Sequence, residues 1–171
     1  FKEFGVKRGL RDVDGTGVLA GISNISRIDA FKTEDGKKVP CDGQLWYRGY
    51  NVIDLIHGFE GKRFGFEEVA YLLLFGELPD AAKLGAFKSM LEECRQLPTN
   101  FTRDVIMKAP SKDIMNSLTR SVLTLASYDE TIADQELHTQ LEQCIKLISV
   151  FPMLSVYGYH CLLYTSDAAD D

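Results

Sequence analysis

Residues 67–79 decide the fold, and they read Glu67-Glu68-Val69-Ala70-Tyr71-Leu72-Leu73-Leu74-Phe75-Gly76-Glu77-Leu78-Pro79. Two acids lie in the first turn of this stretch, where negative charge complements the positive end of a helix dipole. Gly76 closes the apolar run and Pro79 follows, an order typical of helix ends. We therefore predict a helix from Phe66 to Phe75.

Helical periodicity continues on both sides of this stretch. Upstream, the apolar residues of 52–56 predict a short helix that Gly58 stops. Downstream, Asp80 is placed to cap a helix that ends before Pro98, with an apolar stripe at steps of three and four. The members of that stripe are Leu84, Phe87, Leu91 and Cys94.

Further helices are predicted over the rest of the chain. A short one covers 102–108, a longer one covers 111–128 with Ser111 as its cap, and another covers 134–150 with Asp134 as its cap. Phe151-Pro152 predicts a break, because a proline in the first turn can restart a helix. The helical pattern ends at about His160.

Residues 1–50 have a different character, since glycines at 5, 9, 15, 17 and 21 disfavour a helix. Residues 18–22 and 25–28 are β-type runs, Asp35-Gly36 is typical of a hairpin turn, and residues 44–50 form an aromatic extended run. The fold class is therefore mainly α with a short β-rich N-terminal segment. We divide the chain into residues 1–50 (hairpin and turns), 51–160 (helical part) and 161–171 (a tail).

The tail 161–171 does not continue the apolar stripe, and its sequence resembles the translation of a sequencing adapter. A genuine frayed acidic tail is the alternative. The chain also begins at Phe1 rather than at a methionine. We therefore expect it to be a fragment.

Composition narrows the class of protein. The 171 residues carry 19 Lys+Arg and 25 Asp+Glu, a net charge of −6, and are 45% hydrophobic, which excludes a disordered chain. An acidic balance without a Lys/Arg run argues against a nucleic-acid or membrane partner. The longest apolar stretches fall short of the roughly 20 residues of a membrane helix. The four cysteines are widely spaced, which favours a reducing, cytoplasmic compartment.

Short sequence motifs give little indication of a catalytic or ligand-binding site. Residues 15–20 match the dinucleotide fingerprint, but charged residues precede them and a β-type run follows, so turn glycines are the better interpretation. The cysteines and histidines lack the spacing of metal ligands, so no metal site is expected. His57, His138 and His160 are scattered. The cluster Lys7, Arg8 and Arg11 suits an anionic ligand or a solvated surface.

Longer strings resemble the N-terminal part of citrate synthases, in order and spacing, over residues 4–160. The strings are Arg8-Gly9-Leu10-Arg11-Asp12, Gly15-Thr16-Gly17-Val18-Leu19-Ala20-Gly21-Ile22, Gly43-Gln44-Leu45-Trp46-Tyr47-Arg48-Gly49-Tyr50, Asp54-Leu55-Ile56, residues 67–79, and Ala109-Pro110 leading to Leu118-Thr119-Arg120-Ser121-Val122-Leu123. They are shared with 2-methylcitrate synthases, so they indicate the superfamily better than the substrate.

The resemblance implies a part of the large helical domain of a two-domain homodimer that condenses oxaloacetate with acetyl-CoA to citrate and CoA. An Asp and two His residues perform that chemistry in the family. Their motifs do not occur in this chain, so we expect no catalytic residue here and an inactive fragment. No bound cofactor is expected, and acetyl-CoA is a substrate. Arg8 is the best match to a family arginine near the CoA phosphates, with a surface role as the alternative. Arg48 also matches a family position, which we interpret as a buried structural ion pair.

Two other hypotheses stay open: a fragment of a 2-methylcitrate synthase, and a helical interaction module without catalysis. The helices predicted over 111–128 and 134–150 fall where the family builds its dimer interface.

Overall fold

The computed structural model describes residues 2–61 and 65–167, with side chains described through residue 164. Roughly half of the chain is helical, and a small antiparallel sheet lies near its N-terminus, so the predicted fold class is confirmed. The chain divides into two compact units, residues 1–85 and 86–171. The three segments predicted above divide the chain differently, and their boundaries stay a prediction.

The N-terminal unit begins with a short 3-10 turn, Lys2–Phe4, and an irregular loop. The sheet follows, with β1 (Ser26–Glu34), β2 (Lys37–Tyr47) and β3 (Tyr50–Asn51) in that order. The hairpin turn at Asp35-Gly36 is confirmed, with both residues at positive φ, and the register shifts between Asp29 and Phe31. The β-type run predicted over 18–22 is wrong, since these residues form no strand.

Two helices complete the N-terminal unit, and both match their predictions. Helix α1 (Val52–His57) is capped by the Asn51 side chain, which accepts from the Ile53 amide at 2.9 Å, and ends at Gly58. Helix α2 (Phe66–Phe75) ends at Gly76, whose φ of 86° is the left-handed conformation that favours glycine. Among its described residues, Leu55, Ala70 and Leu72 are buried.

The boundary between the units falls within α3 (Ala81–Glu93), which Asp80 caps by accepting from the Lys83 amide at 2.8 Å. Phe87 and Leu91 of the predicted stripe are buried. A π-helical turn (Thr102–Met107) then replaces the short helix predicted over 102–108. Helix α4 (Ile114–Ala126) is capped by Asp113, which accepts from the Asn116 amide at 3.0 Å.

Helix α5 (Leu137–Asp167) runs through Pro152, so the break predicted at Phe151-Pro152 is wrong. Proline deprives residue 148 of one hydrogen bond, but packing offsets that cost because Val150 and Leu154 on either side are 5% and 1% exposed. They share the core of the C-terminal unit with Phe101 and Ile106. The helix continues to Asp167, so the end of the helical pattern predicted at about His160 is wrong. Residues 168–171 of the predicted tail lie outside the described residues.

The uninterrupted α5 changes one sequence expectation. By length and composition alone, Leu137–Tyr164 is able to cross a membrane: an 18-residue window within it has a mean hydropathy of 1.4, and 22% of that window is buried. The expectation that the apolar stretches fall short of this length is therefore wrong, because it assumed a helix break at Pro152. Core helices of soluble proteins meet the same criterion, and α5 supplies Ile145, Val150 and Leu154 to its unit's buried residues.

Candidate functional site

The segment around Arg8 is a narrow loop that the backbone closes on itself. The Lys7 amide donates to the Leu19 carbonyl at 2.9 Å, and Arg11 and Gly17 form an isolated antiparallel bridge. Within this bridge the Asp12 amide donates to the Thr16 carbonyl at 2.8 Å. These bonds fix the ends of the loop, so the three basic residues of the predicted cluster keep defined positions.

The three basic residues are not equivalent. Lys7 forms an ion pair with Asp12, and the Arg11 guanidinium donates to the Gly15 carbonyl at 3.3 Å. Arg8 is exposed, and within the described part of the chain no hydrogen bond or ion pair engages its side chain. Its planar set of N–H donors is therefore available for a phosphate, which guanidinium groups bind well.

Two carboxylates in the same loop are held in their charged form. The ion pair with Lys7 lowers the pKa of Asp12, with help from the Val13 amide. The pKa of Asp14 is lowered by the Thr16 hydroxyl, which donates to it at 2.7 Å, and by the Thr16 amide. Both acids are thus satisfied within the loop.

Arg48 links the sheet to α2, and among the described residues it does so without an ion pair. Its Nε and Nη2 donate to the Leu73 carbonyl at 3.2 and 2.8 Å, and its Nη1 donates to Asn24 Oδ1 at 3.1 Å. The Leu73 carbonyl lies in the last turn of α2, where carbonyls lack helical partners and the dipole favours a cation. The predicted buried ion pair is wrong, because neutral oxygens take its place.

The turn that carries Arg48 is itself a sequence signal for this linkage. Arg48 and Gly49 form a two-residue turn between β2 and β3, and both have positive φ, 49° and 89°. Such a turn favours Asn, Asp or Gly at its first position, because these residues tolerate a positive φ. An arginine there indicates a side chain kept for its contacts.

The histidines are not assembled into a site. His57 lies in the last turn of α1, His138 Nδ1 lies 3.6 Å from Glu142, and His160 stacks on Tyr164 with ring centroids 6.2 Å apart. No group of three or more His, Cys, Asp or Glu side chains suited to a metal ion occurs among the described residues. Whether catalytic residues lie elsewhere in the parent protein stays a prediction, as does the role of Arg8.

Known proteins resemble this chain over most of its length. A sequence profile described as "Citrate synthase, C-terminal domain" matches residues 10–168. A 2-methylcitrate synthase of Shewanella oneidensis is 34% identical over 115 residues, covering 67% of this chain and 28% of that protein. A citrate synthase of Saccharolobus solfataricus is 29% identical over 144 residues, covering 83% and 35%.

Solved structures agree with these matches. The crystal structure of citrate synthase from Pyrobaculum aerophilum superposes with a TM-score of 0.65 at 25% identity, covering 92% of this chain and 40% of that one. A citrate synthase of Thermoplasma acidophilum, described as a ternary complex with carboxymethyl coenzyme A and oxaloacetate, has the same fold. Its TM-score is 0.69 at 20% identity, and the match covers 85% of this chain and 34% of that one.

The chain spans between about a quarter and two fifths of the length of these relatives. Because the matching profile describes a C-terminal domain, the placement of this chain at the N-terminal end of its parent stays a prediction. The profile nevertheless covers far more than half of the chain, and the fold agrees with it. The chain belongs to the citrate synthase family.

Proposed function

We propose that the parent protein is a citrate synthase, which condenses acetyl-CoA with oxaloacetate and releases citrate and CoA. The observation that carries this proposal is the family match over residues 10–168, supported by the fold shared with the Pyrobaculum enzyme. The reaction is an acyl transfer with carbon–carbon bond formation. This chain contributes part of the helical scaffold on which the parent builds its site.

The chemistry explains why the fragment alone is inactive in this proposal. A thioester methyl proton is too weakly acidic for a carboxylate base unless the developing enolate oxygen is stabilised. The parent therefore needs its Asp and two His residues together, and we place them outside this chain. Within the chain, Arg8 binds the CoA phosphates through the guanidinium that the loop leaves free.

A 2-methylcitrate synthase is the second candidate, and one observation favours it. The Shewanella relative is described as a 2-methylcitrate synthase and is 34% identical, against 29% for the Saccharolobus citrate synthase. The two reactions differ by one methylene in the acyl group, which is worth only about 1–3 kcal/mol of discrimination in a pocket.

The full-length parent, assayed by release of the CoA thiol with oxaloacetate, tests both candidates. We expect turnover with acetyl-CoA exceeding that with propionyl-CoA, and none with the 171-residue chain. Higher kcat/KM with propionyl-CoA would assign the second candidate. A parent with neither activity would contradict both and favour the non-catalytic interaction module, whereas turnover by the chain would contradict the placement of the catalytic residues.

The role of Arg8 has its own test in the parent. We expect Arg8→Ala to raise KM for acetyl-CoA about tenfold with kcat unchanged, because a charge-assisted bond to phosphate is lost. Lys2→Ala removes another exposed cation and is the matched control, with KM expected to stay the same. If Arg8→Ala leaves KM for acetyl-CoA unchanged, Arg8 is a surface residue.

We also propose a cytoplasmic homodimer that acts on small molecules without a nucleic-acid or membrane partner. The wide spacing of the four cysteines along the sequence supports a reducing compartment. Sedimentation of the parent tests the dimer, and a monomer at all concentrations would contradict it.

A further inference from the structure

Arg8 lies in a loop whose two ends are joined by an ion pair. The Lys7 ammonium contacts the Asp12 carboxylate, and Arg8 is the first of the residues between them. Joining the ends of a short segment removes many of the conformations that an open segment adopts. The ion pair of this 7–12 loop therefore limits the positions that the Arg8 backbone can take.

Lys7, the residue directly before Arg8, is held at its backbone as well. Its amide donates to the Leu19 carbonyl at 2.9 Å. The Arg8 side chain has no hydrogen bond or ion pair within the described part of the chain, so the backbone beside it decides where its guanidinium lies. A contact that fixes Lys7 therefore also fixes the starting point of the Arg8 side chain.

Asp12, at the other end of the loop, belongs to a hydrogen-bonded turn. Its amide donates to the Thr16 carbonyl at 2.8 Å, and its carbonyl accepts from the Gly15 amide at 2.9 Å. Its Oδ1 accepts from the Val13 amide at 2.9 Å, which leaves Oδ2 for the Lys7 ammonium. Asp12 therefore ties the loop to a turn that has hydrogen bonds of its own.

The two carboxylates of this region hold different partners. The hydrogen bond from Lys7 is the main cause that lowers the pKa of Asp12, so this carboxylate is anionic at neutral pH. Asp14 Oδ1 accepts from the Thr16 hydroxyl at 2.7 Å and from the Thr16 amide at 3.0 Å, and no described contact joins it to Lys7. Of these two acids, Asp12 is the one connected to the segment before it.

We propose that Asp12 is a positioning residue, which holds the Arg8 guanidinium where it meets the phosphates of CoA. Asp12 does so through Lys7 and does not itself contact the ligand, because a carboxylate repels a phosphate. The inference rests on the binding of CoA by Arg8 proposed above. A binding group that is already held in place loses less conformational entropy when the ligand binds, so the affinity rises.

Two variants of the full-length parent break this ion pair with opposite changes of charge. Asp12→Asn makes the loop more positive, and Lys7→Gln makes it less positive. If position matters, both variants should raise KM for acetyl-CoA about threefold, with kcat and KM for oxaloacetate unchanged. If only the electric field of the loop mattered, Asp12→Asn would lower KM for acetyl-CoA, because CoA is an anion.

Asp14→Asn is the matched control, since it makes the same change of charge in the same region as Asp12→Asn. The amide oxygen of the new side chain still accepts from Thr16, so the turn keeps its hydrogen bonds. KM for acetyl-CoA should not rise in this control. Titration calorimetry with CoA measures the Kd directly and gives the same comparison without turnover.

A second background separates the positioning of Arg8 from a general weakening of the N-terminal unit. In the parent that carries Arg8→Ala, Asp12→Asn should raise the Kd of CoA no further, because no guanidinium remains to be positioned. Asp12→Asn alone should speed hydrogen exchange at the Lys7 and Gly15 amides while α2 stays protected. Lost protection in α2 would show that the variant weakens the whole unit, which would contradict a positioning role.

The outcomes also separate this inference from the proposed function. If Arg8→Ala raises the Kd of CoA while Asp12→Asn leaves it unchanged or lowers it, Arg8 binds CoA without help from Asp12 and the inference is wrong. An equal rise of the Kd on Asp12→Asn with and without Arg8 would also contradict it, as would an equal rise in Asp14→Asn. If Arg8→Ala changes neither KM nor Kd, the proposed role of Arg8 fails and the inference fails with it.

Discussion

The two units of this chain are stabilised in different ways. In the N-terminal unit no described residue between 2 and 50 is buried, and β1 carries Ile28 and Phe31 at 75% and 59% exposure. In the C-terminal unit Phe101, Ile106, Val150 and Leu154 form a contiguous core at 5% exposure or less. The helical unit thus contains its own core within this chain, whereas the hairpin depends on its ladder and on a few polar contacts.

This difference predicts unequal stability. A two-stranded hairpin is at best marginally stable in water, and apolar burial is the main favourable contribution to folding. We expect the amides of β1 and β2 to exchange with solvent through small local openings, and those of α4 and α5 only through larger ones. Mutations that affect one unit alone test whether the contrast is real.

The largest effect is expected from Leu154→Ala. Leu154 is 1% exposed, and truncating a buried leucine to alanine costs roughly 2–5 kcal/mol because of lost burial and a new cavity. Hydrogen exchange followed by mass spectrometry should show lost protection in α4 and α5 with β1 and β2 unchanged. Leu123→Ala, at a residue 67% exposed, is the control and should change little. Equal loss of protection in both units would show that they unfold together.

The second largest loss of stability is expected from Arg48→Ala, which affects the N-terminal unit. The variant leaves the Leu73 carbonyl and Asn24 without their donor, at an expected cost of about 1–3 kcal/mol. Protection should fall in α2 and at the end of β2. Arg48→Lys should not restore it, since an ammonium cannot reach both acceptors with the geometry of a guanidinium.

Salt provides the check on the kind of contact that Arg48 makes. Its acceptors are neutral oxygens, so the loss of protection in Arg48→Ala should be the same at low and high salt. A loss of protection that becomes smaller as the salt concentration rises would instead support the ion pair expected from the sequence.

Sequence predicted the elements that local signals define. Gly76 after an apolar run, Asp80 before one and Asp35-Gly36 between two extended runs each act through their own backbone, so α2, α3 and the hairpin were found. Features that depend on residues far apart in the sequence were not predicted. Pro152 reads as a break until the packing of Leu154 is known, and the partner of Arg48 lies 25 residues away.

The candidate sites show the same division. The sequence identified Arg8 by its match to a family string. Only the structure distinguishes it from its neighbours: Lys7 and Arg11 contact other groups of the loop, whereas no described hydrogen bond or ion pair engages the Arg8 side chain. The groove between the end of α4, the loop 127–136 and the first half of α5 has no sequence motif, since its lining comes from both helices, from that loop and from the end of α3. Only folding brings those residues together.

The N-terminal cap of α4 gives a smaller, local test. Sequence predicted Ser111 as the cap, but Asp113 accepts from the Asn116 amide, and Ser111 accepts from the Asp113 amide at 3.1 Å. Asp113→Ala should therefore destabilise the C-terminal unit by about 1 kcal/mol. Ser111→Ala is the matched control and should cost only about 0.3 kcal/mol, because a turn outside the helix is affected. Equal effects in a denaturant titration would contradict the assignment of Asp113.

The smallest effect is expected from acid, and it should appear in loops rather than in either core. The Thr131 hydroxyl and amide lower the pKa of Asp129 in the folded chain, so this carboxylate contributes stability above its unfolded pKa. That contribution is lost as the pH falls below about 4 and through the folded pKa. The Thr131 amide should then exchange faster while the α5 core stays protected.

Asp129→Asn isolates the carboxylate in that acid response. The amide oxygen of asparagine still accepts from Thr131 but does not titrate, so the exchange of the Thr131 amide, corrected for its intrinsic pH dependence, should no longer change across this pH range. Asp14 is the counterpart in the N-terminal unit, because the Thr16 hydroxyl and amide lower its pKa in the same way. If Asp14→Asn also removes the acid response of the Thr131 amide, the loops of the two units are coupled, and the contrast between self-contained helices and a dependent hairpin no longer holds.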